Sequence, residues 1–167
     1  ILYTSTEREE EDLMEKVIYL DLDGTIANLY AVPDWLPKLR AEDVSPYLEA
    51  APIENLRHLF SVMDKLIEAG WAFGIISWTS KGGSVEYNKA VRAAKIEWLE
   101  KMGFLPYLSE IHCVKYGTPK HLVPSHRRCV LIDDDDIVRE KWNTYGGISA
   151  DPKVECVSNL LESLLSY

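Results

Sequence analysis

No apolar run in the sequence approaches the roughly 18 residues that a helix needs to span a bilayer, so no membrane helix is expected. Internal repeats and low-complexity tracts are also missing, which excludes a solenoid or a linker-like chain. Basic charge is scarce: 18 lysines and arginines face 27 acidic residues, for a formal net charge of −9. That balance disfavours general binding to nucleic acid, whose affinity comes largely from cations on phosphates, yet it permits a small phosphate ester held locally. Only three cysteines occur, Cys113, Cys129 and Cys156, without CxxC or Cys/His spacing. Their odd number argues against a disulfide framework, so a reducing cytoplasm is expected, with each thiol acting as a small buried apolar residue. The stretch from Ile1 to Glu15 is polar and acidic and shows no secretory signal.

What is present fits one soluble globular domain: 167 residues, 47% hydrophobic and 27% charged. Positions 1–16 read as an acidic leader and 17–167 as the domain. Val17 to Leu20 is a short apolar run that stops at Asp21 and Gly24, the pattern of a buried strand feeding a tight loop. Leu56, Leu59, Phe60, Met63, Leu66 and Ile67 recur at helical spacing within 53–69, before Gly70. A second strand, 72–76, ends at Ser77. A Gly82-Gly83 loop then leads to a helix over 85–102 whose inner face carries Val91, Ala94, Trp98 and Met102 and which Gly103 ends. Further strands are expected at 111–114, 129–132 and 147–150, and a last helix at 157–165. Strands alternating with helices predict an α/β fold, a doubly wound parallel sheet, with ligands beyond the carboxyl ends of the strands. Asp21, Ser77 and Asp133 all fall at such ends.

In Asp21-Leu22-Asp23-Gly24-Thr25 two carboxylates separated by one residue follow a buried strand. Asp21 can then attack phosphorus while Asp23 protonates the leaving oxygen and later deprotonates water. Asp133 and Asp134, after another strand, can join them. Carboxylates so gathered repel unless a cation sits among them, and oxygen ligands of this type suit Mg²⁺. Asp135 and Asp136 read instead as the opening of the next helix. Ser77 offers a hydroxyl, and Trp78 after it a backbone N–H, to a phosphoryl oxygen. Charge on the transferring group also calls for a cation; Lys120 and Lys115 are the two candidates, with Lys120 favoured because Pro119 suggests a helix start that turns it inward.

DLDGT, a strand ending in Ser77, a loop lysine and VLIDDDD, in that order, resemble the haloacid dehalogenase (HAD) superfamily over roughly Val17 to Gly147. The resemblance implies a HAD-like Rossmannoid sheet, Asp21 as nucleophile and metal ligand, and Asp23 as acid/base and carbonyl ligand. It further implies Ser77 and a lysine on the phosphate, Asp134 as metal ligand and Asp133 as its supporting carboxylate, with Mg²⁺ as cofactor. The presence of Asp23 points to phosphatase over dehalogenase chemistry. The Asp133-Asp134 pair and a short helical cap insertion at about 26–52 are similar to the 5′(3′)-deoxyribonucleotidase branch, although Trp78 departs from the small residue expected there. That branch implies a small phosphorylated substrate such as a nucleoside monophosphate; sugar phosphates and polynucleotide 3′-ends are the alternative classes. Two further alternatives are a receiver-like domain, in which the acidic pair would come first and the phospho-accepting aspartate later, and a catalytically silent interaction module.

Overall fold

Four consecutive buried residues make β1 (Val17–Leu20) the central strand of the computed structural model, which describes residues 14–126 and 128–167. Most of the expected acidic leader lies outside the described residues. β1 pairs in parallel with β2 (Ala72–Trp78) on one side and β4 (Val130–Ile132) on the other. β3 (Leu108–Val114) and β5 (Ile148–Ala150) complete a five-stranded parallel sheet of order β3-β2-β1-β4-β5. The strand order therefore reverses between β1 and β4, the kind of switch point at which a crevice opens beyond the strand ends.

Helices cover both faces of this sheet. α3 (Leu56–Glu68) buries Leu59, Val62, Met63 and Leu66, and α4 (Val85–Met102) buries Val91, Ala94, Trp98 and Leu99. α6 (Val157–Glu162) adds Val157 and Leu161 to the cluster that the α3 residues form with Trp98 and Leu99 around Ile18, Leu20, Phe73 and Ile75. On the other face α5 (Asp136–Thr144) packs Val138 and Trp142 against Tyr19, Ile76 and Leu131. Burial of each large apolar side chain of this kind contributes about 1.5–3 kcal/mol. Local signals set the helix ends. The side chains of Asn55 and Ser84 accept the N–H groups of His58 and Tyr87, satisfying donors of the first turns of α3 and α4. Asp135 caps α5 through Ile137 and Val138, as the acidic run predicts. Gly103 closes α4 with φ +89°, a left-handed turn that only glycine adopts without strain.

Several expectations shift. β3 begins at Leu108, earlier than the apolar run suggests, because as an edge strand it mixes half-buried and exposed positions. α3 begins at Leu56; Pro52 is bridged to Ala27, and the Ile53 N–H bonds to the Ile26 carbonyl, which holds this stretch as a turn. Ile67 stays 40% exposed on the edge of the α3 stripe. Cys129 is buried as expected, but Cys113 is half-buried and Cys156 exposed. Cys156 differs because it stands outside α6 as its N-terminal cap position. No helix among the described residues is long and apolar enough to cross a membrane.

Between β1 and α3 the chain makes a short 3₁₀ turn (Leu29–Ala31) and two small helices, α1 (Trp35–Arg40) and α2 (Ser45–Glu49). This insertion is fastened to α4. Glu42 accepts both the N–H and the hydroxyl of Ser84, the Tyr87 hydroxyl donates to the Asp43 carbonyl, and the Trp98 indole donates to the Ala50 carbonyl. Leu29 and Tyr47 close a small apolar cluster with Tyr87, Val91 and Ala94.

Candidate active site

Register alone brings the two acidic loops together. Leu20 stands opposite Ile132 across the β1/β4 pair, and the Asp21 N–H donates to the Ile132 carbonyl at 3.0 Å. Asp21 and Asp133 thus leave adjacent strands at the switch point. After Asp21 the chain coils around one carbonyl, Leu22, which accepts the N–H groups of Thr25, Ile26 and Ala27. Gly24 makes this turn with φ +80°. A side chain there would also meet Asp134 Cγ and Tyr30 Cε2, each at 2.8 Å, so glycine is what lets the Asp134 carboxylate lie against the loop.

Asp21, Asp133 and Asp134 each present one carboxylate oxygen, all within 4.8 Å of one another. Lys120, in the 3₁₀ turn that follows Pro119, is 3% exposed and reaches Asp21 Oδ1 at 2.9 Å and Asp133 Oδ2 at 2.6 Å. The remaining oxygen of Asp133, Oδ1, accepts the Asp135 N–H at 2.9 Å, so both of its oxygens are engaged by the protein. Among the three, Asp133 is thus the one most fully engaged by protein partners, while Asp21 keeps one oxygen outside its contact with Lys120. Burial and the Asp21 charge push Asp134 up to about 6, and the same causes raise Asp133 against the pull of Lys120. Burial works against the Lys120 ammonium, but Asp21 and Asp133 outweigh it and its pKa rises. One ammonium does not balance three carboxylates. A hard divalent cation fits this donor set, because carboxylates gathered around one point are relieved by metal charge and Mg²⁺ takes oxygen ligands.

The other half of the site centres on a residue that the motifs do not contain. Lys95, in the middle of α4 and 2% exposed, donates to Asp23 Oδ2 at 2.6 Å, to Ser77 Oγ at 2.8 Å and to the Trp78 carbonyl at 2.7 Å. Its ammonium also stands 5.0 Å from the centroid of the Tyr47 ring. Burial raises the pKa of Asp23, opposed by Lys95 and reinforced by Asp21. A signal for Lys95 exists in the sequence: it sits four residues after Val91 and four before Leu99, on the inner face of the helix, where an unpaired lysine would be costly.

Among the sequence-derived candidates, Asp21, Asp23, Ser77, Trp78, Lys120, Asp133 and Asp134 all line one cavity of about 490 Å³. Lys115 does not. It is exposed, and its carbonyl accepts from Thr118. The indole of Trp78 donates to the Thr118 carbonyl at 2.8 Å, and its ring stands 5.1 Å from the Lys120 ammonium. Trp78 therefore walls Lys120. The insertion adds Tyr30, Trp35 and Arg40 to the cavity, and the loop after β2 adds Ser80 and Lys81. Tyr30 is 51% exposed and meets Trp35 edge-on at 5.0 Å, whereas Tyr47 is buried as packing.

No family model matches the sequence, and no curated protein matches it. Solved structures do. The chain is similar to a D,D-heptose 1,7-bisphosphate phosphatase from Burkholderia thailandensis, with 12% identity over 80% of this chain and 75% of that one and a TM-score of 0.48. It is also similar to a HAD family enzyme from Bacteroides thetaiotaomicron, with 10% identity over 89% of this chain and 98% of that one and a TM-score of 0.54. The likeness to the second extends over nearly the full length of both chains, and with it the five-stranded parallel sheet and its flanking helices are shown to be a HAD-like α/β fold.

Proposed function

We propose that this chain is a Mg²⁺-dependent phosphomonoester hydrolase that works through a phosphoryl-aspartate on Asp21. The carrying observation is that the two aspartates of one loop are held by different lysines. Lys120 binds Asp21 Oδ1 and Lys95 binds Asp23 Oδ2, so each carboxylate keeps its second oxygen for a separate task. Asp21 Oδ2 forms the bond to phosphorus as the ester P–O bond breaks, and the departing oxygen takes a proton from Asp23. Water then attacks phosphorus, its proton passes to the Asp23 carboxylate, and the bond to Asp21 breaks to release phosphate. Ser77 and Lys120, which line the same cavity, would hold phosphoryl oxygens. Asp21, Asp134 and the Asp23 carbonyl would hold Mg²⁺, which offsets the repulsion between a carboxylate nucleophile and a phosphate dianion.

The order of the loops opposes the receiver-like reading, since Asp-x-Asp precedes the late acidic pair. The insertion serves as a small cap over the site. For the substrate we infer a nucleoside monophosphate, on the exposed Tyr30 ring beside the acidic loop and the cations Arg40 and Lys81 in the same cavity. The test is hydrolysis of a panel of nucleoside monophosphates, sugar phosphates and 3′-phosphorylated oligonucleotides, with Mg²⁺ and with excess chelator. Metal-dependent release of phosphate, fastest from the nucleotides, is expected. Full activity in chelator, or no hydrolysis of any ester, overturns the reading; preference for another class overturns only the nucleotide assignment.

A further inference from the structure

We infer that Lys95 is a positioning residue that fixes the hydrogen-bond polarity of Ser77 and the orientation of Asp23, so that both face the substrate in working form. This role rests on the phosphohydrolase reading above.

An ammonium has three hydrogens and no acceptor. Lys95 has three partners within hydrogen-bond distance: Asp23 Oδ2, Ser77 Oγ and the Trp78 carbonyl. Every hydrogen is thereby used, and each partner oxygen must be accepting. For the Trp78 carbonyl this is trivial; for the other two it has consequences. Ser77 Oγ accepts from Lys95, so its single hydrogen is directed elsewhere, and the neighbouring open space is the cavity that Ser77 lines. Its hydroxyl is thus set as a donor, the polarity a phosphoryl oxygen requires. A serine without such a partner turns its hydrogen to whichever acceptor is nearest, and here aspartates line the same cavity. Asp23 is treated in a parallel way. Its Oδ2 is tied to Lys95, which leaves Oδ1 to carry the proton to and from the substrate oxygen. Lys95 is 2% exposed and stands against the Tyr47 ring, so neither bond is shared with bulk water. The Trp78 carbonyl anchors the ammonium to the end of β2, and α4 supplies its stem. The clamp therefore joins the first acidic loop, β2 and α4.

The role separates from simple structural support through the leaving group. An alkoxide needs a proton as it departs, whereas an activated phenolate needs far less, so loss of a correctly placed acid slows alkyl esters selectively. Lys95→Met keeps the length of the side chain and removes the ammonium. We expect its kcat on glycerol phosphate to fall about 10²-fold and on 4-nitrophenyl phosphate less than about 10-fold, within the range that general acids contribute. In an Asp23→Asn background, where the acid is already missing, the same change should cost only the share that passes through Ser77, under about 10-fold on the alkyl ester and equal to its cost on the aryl ester. That second comparison needs only Asp23→Asn and the double variant, which lacks both charges, and so stands even where Lys95→Met alone does not fold. Equal losses on the two esters in the Lys95→Met single variant, or a full further loss in the Asp23→Asn background, overturn the role of Lys95 and leave the phosphohydrolase reading intact. A wild-type protein inactive on these two esters and on every ester of the panel above overturns that reading, and the role with it; where only a panel ester is hydrolysed, the Asp23→Asn comparison is made on that alkyl ester, and a full further loss there overturns the role.

Discussion

Replacing Lys120 by methionine removes one ammonium from between two buried carboxylates and leaves the volume nearly unchanged. Its contacts, 2.9 Å to Asp21 and 2.6 Å to Asp133, are each of the order of about 6 kcal/mol at an effective dielectric near 20. Desolvation of the charges offsets several kcal/mol of this, and truncating one partner of a buried pair typically costs about 3–5 kcal/mol because the other charges stay behind. Here two carboxylates stay behind, beside a third. For a chain of this size about 2–4 °C is lost per kcal/mol, so Tm in chelator should drop by roughly 6–20 °C. The sign with pH follows from the raised pKa of Lys120, which lies above the unfolded value of about 10.4. Its contribution is fully present below that unfolded value and is lost as pH rises through the folded one, so the deficit of Lys120→Met should be undiminished across pH 7–9. Lys115→Ala, on an exposed side chain, should stay within about 0.5 kcal/mol of the parent and keep its activity. Differential scanning calorimetry of the three proteins decides the matter. A Tm for Lys120→Met within about 2 °C of the parent, or a larger loss for Lys115→Ala, would refute the assignment of Lys120 to the centre of the site.

Asp21→Asn should form no covalent adduct with 4-nitrophenyl phosphate or BeF₃⁻, whereas Asp23→Asn should accumulate a group on Asp21 because the water-activating base is gone; intact mass and peptide mapping read both, and labelling at Asp133 or Asp134 would contradict the roles. Gly24→Ala should strain a φ of +80° by about 1–2 kcal/mol and push Asp134 aside, raising the Mg²⁺ concentration for half-maximal activity about tenfold or more; an unchanged metal dependence would count against Asp134 as a ligand.

Strands ending in aspartate were easy to read because burial and chemistry change at the same residue. Val17 to Leu20 is buried throughout, and Asp21 begins the loop. α4 was legible because a Gly82-Gly83 loop precedes its apolar face and a glycine stops it; the Ser84 cap is seen only in the structure. β3 was less so: an edge strand needs apolar residues on fewer sides, and Leu108-Ser109-Glu110 carries no continuous run. The candidate site divided in the same way. Asp21, Asp23, Asp133 and Asp134 lie in local motifs whose spacing is itself chemical. Lys95 does not; its partner Asp23 is 72 positions away, and only the packing of α4 on β2 brings them together. Lys120 and Lys115 were separated by the turn at Pro119, which buries one and leaves the other in solvent.

Charge explains why the site needs both lysines. Asp21, Asp23, Asp133 and Asp134 gather four carboxylates at one cavity floor, and Lys95 and Lys120 return two positive charges. The carboxylates of this floor outnumber its lysines, and a divalent cation would offset the excess negative charge. The lysines also keep the aspartates distinct. Lys120 links Asp21 to Asp133 on the β1/β4 side of the crevice, while Lys95 links Asp23 to Ser77 on the β2 side. If one lysine served both aspartates, the two would share an environment, and nothing would make one the nucleophile and the other the acid. In the proposed mechanism, separate partners delivered by separate elements would let two identical side chains two residues apart take different parts in one reaction.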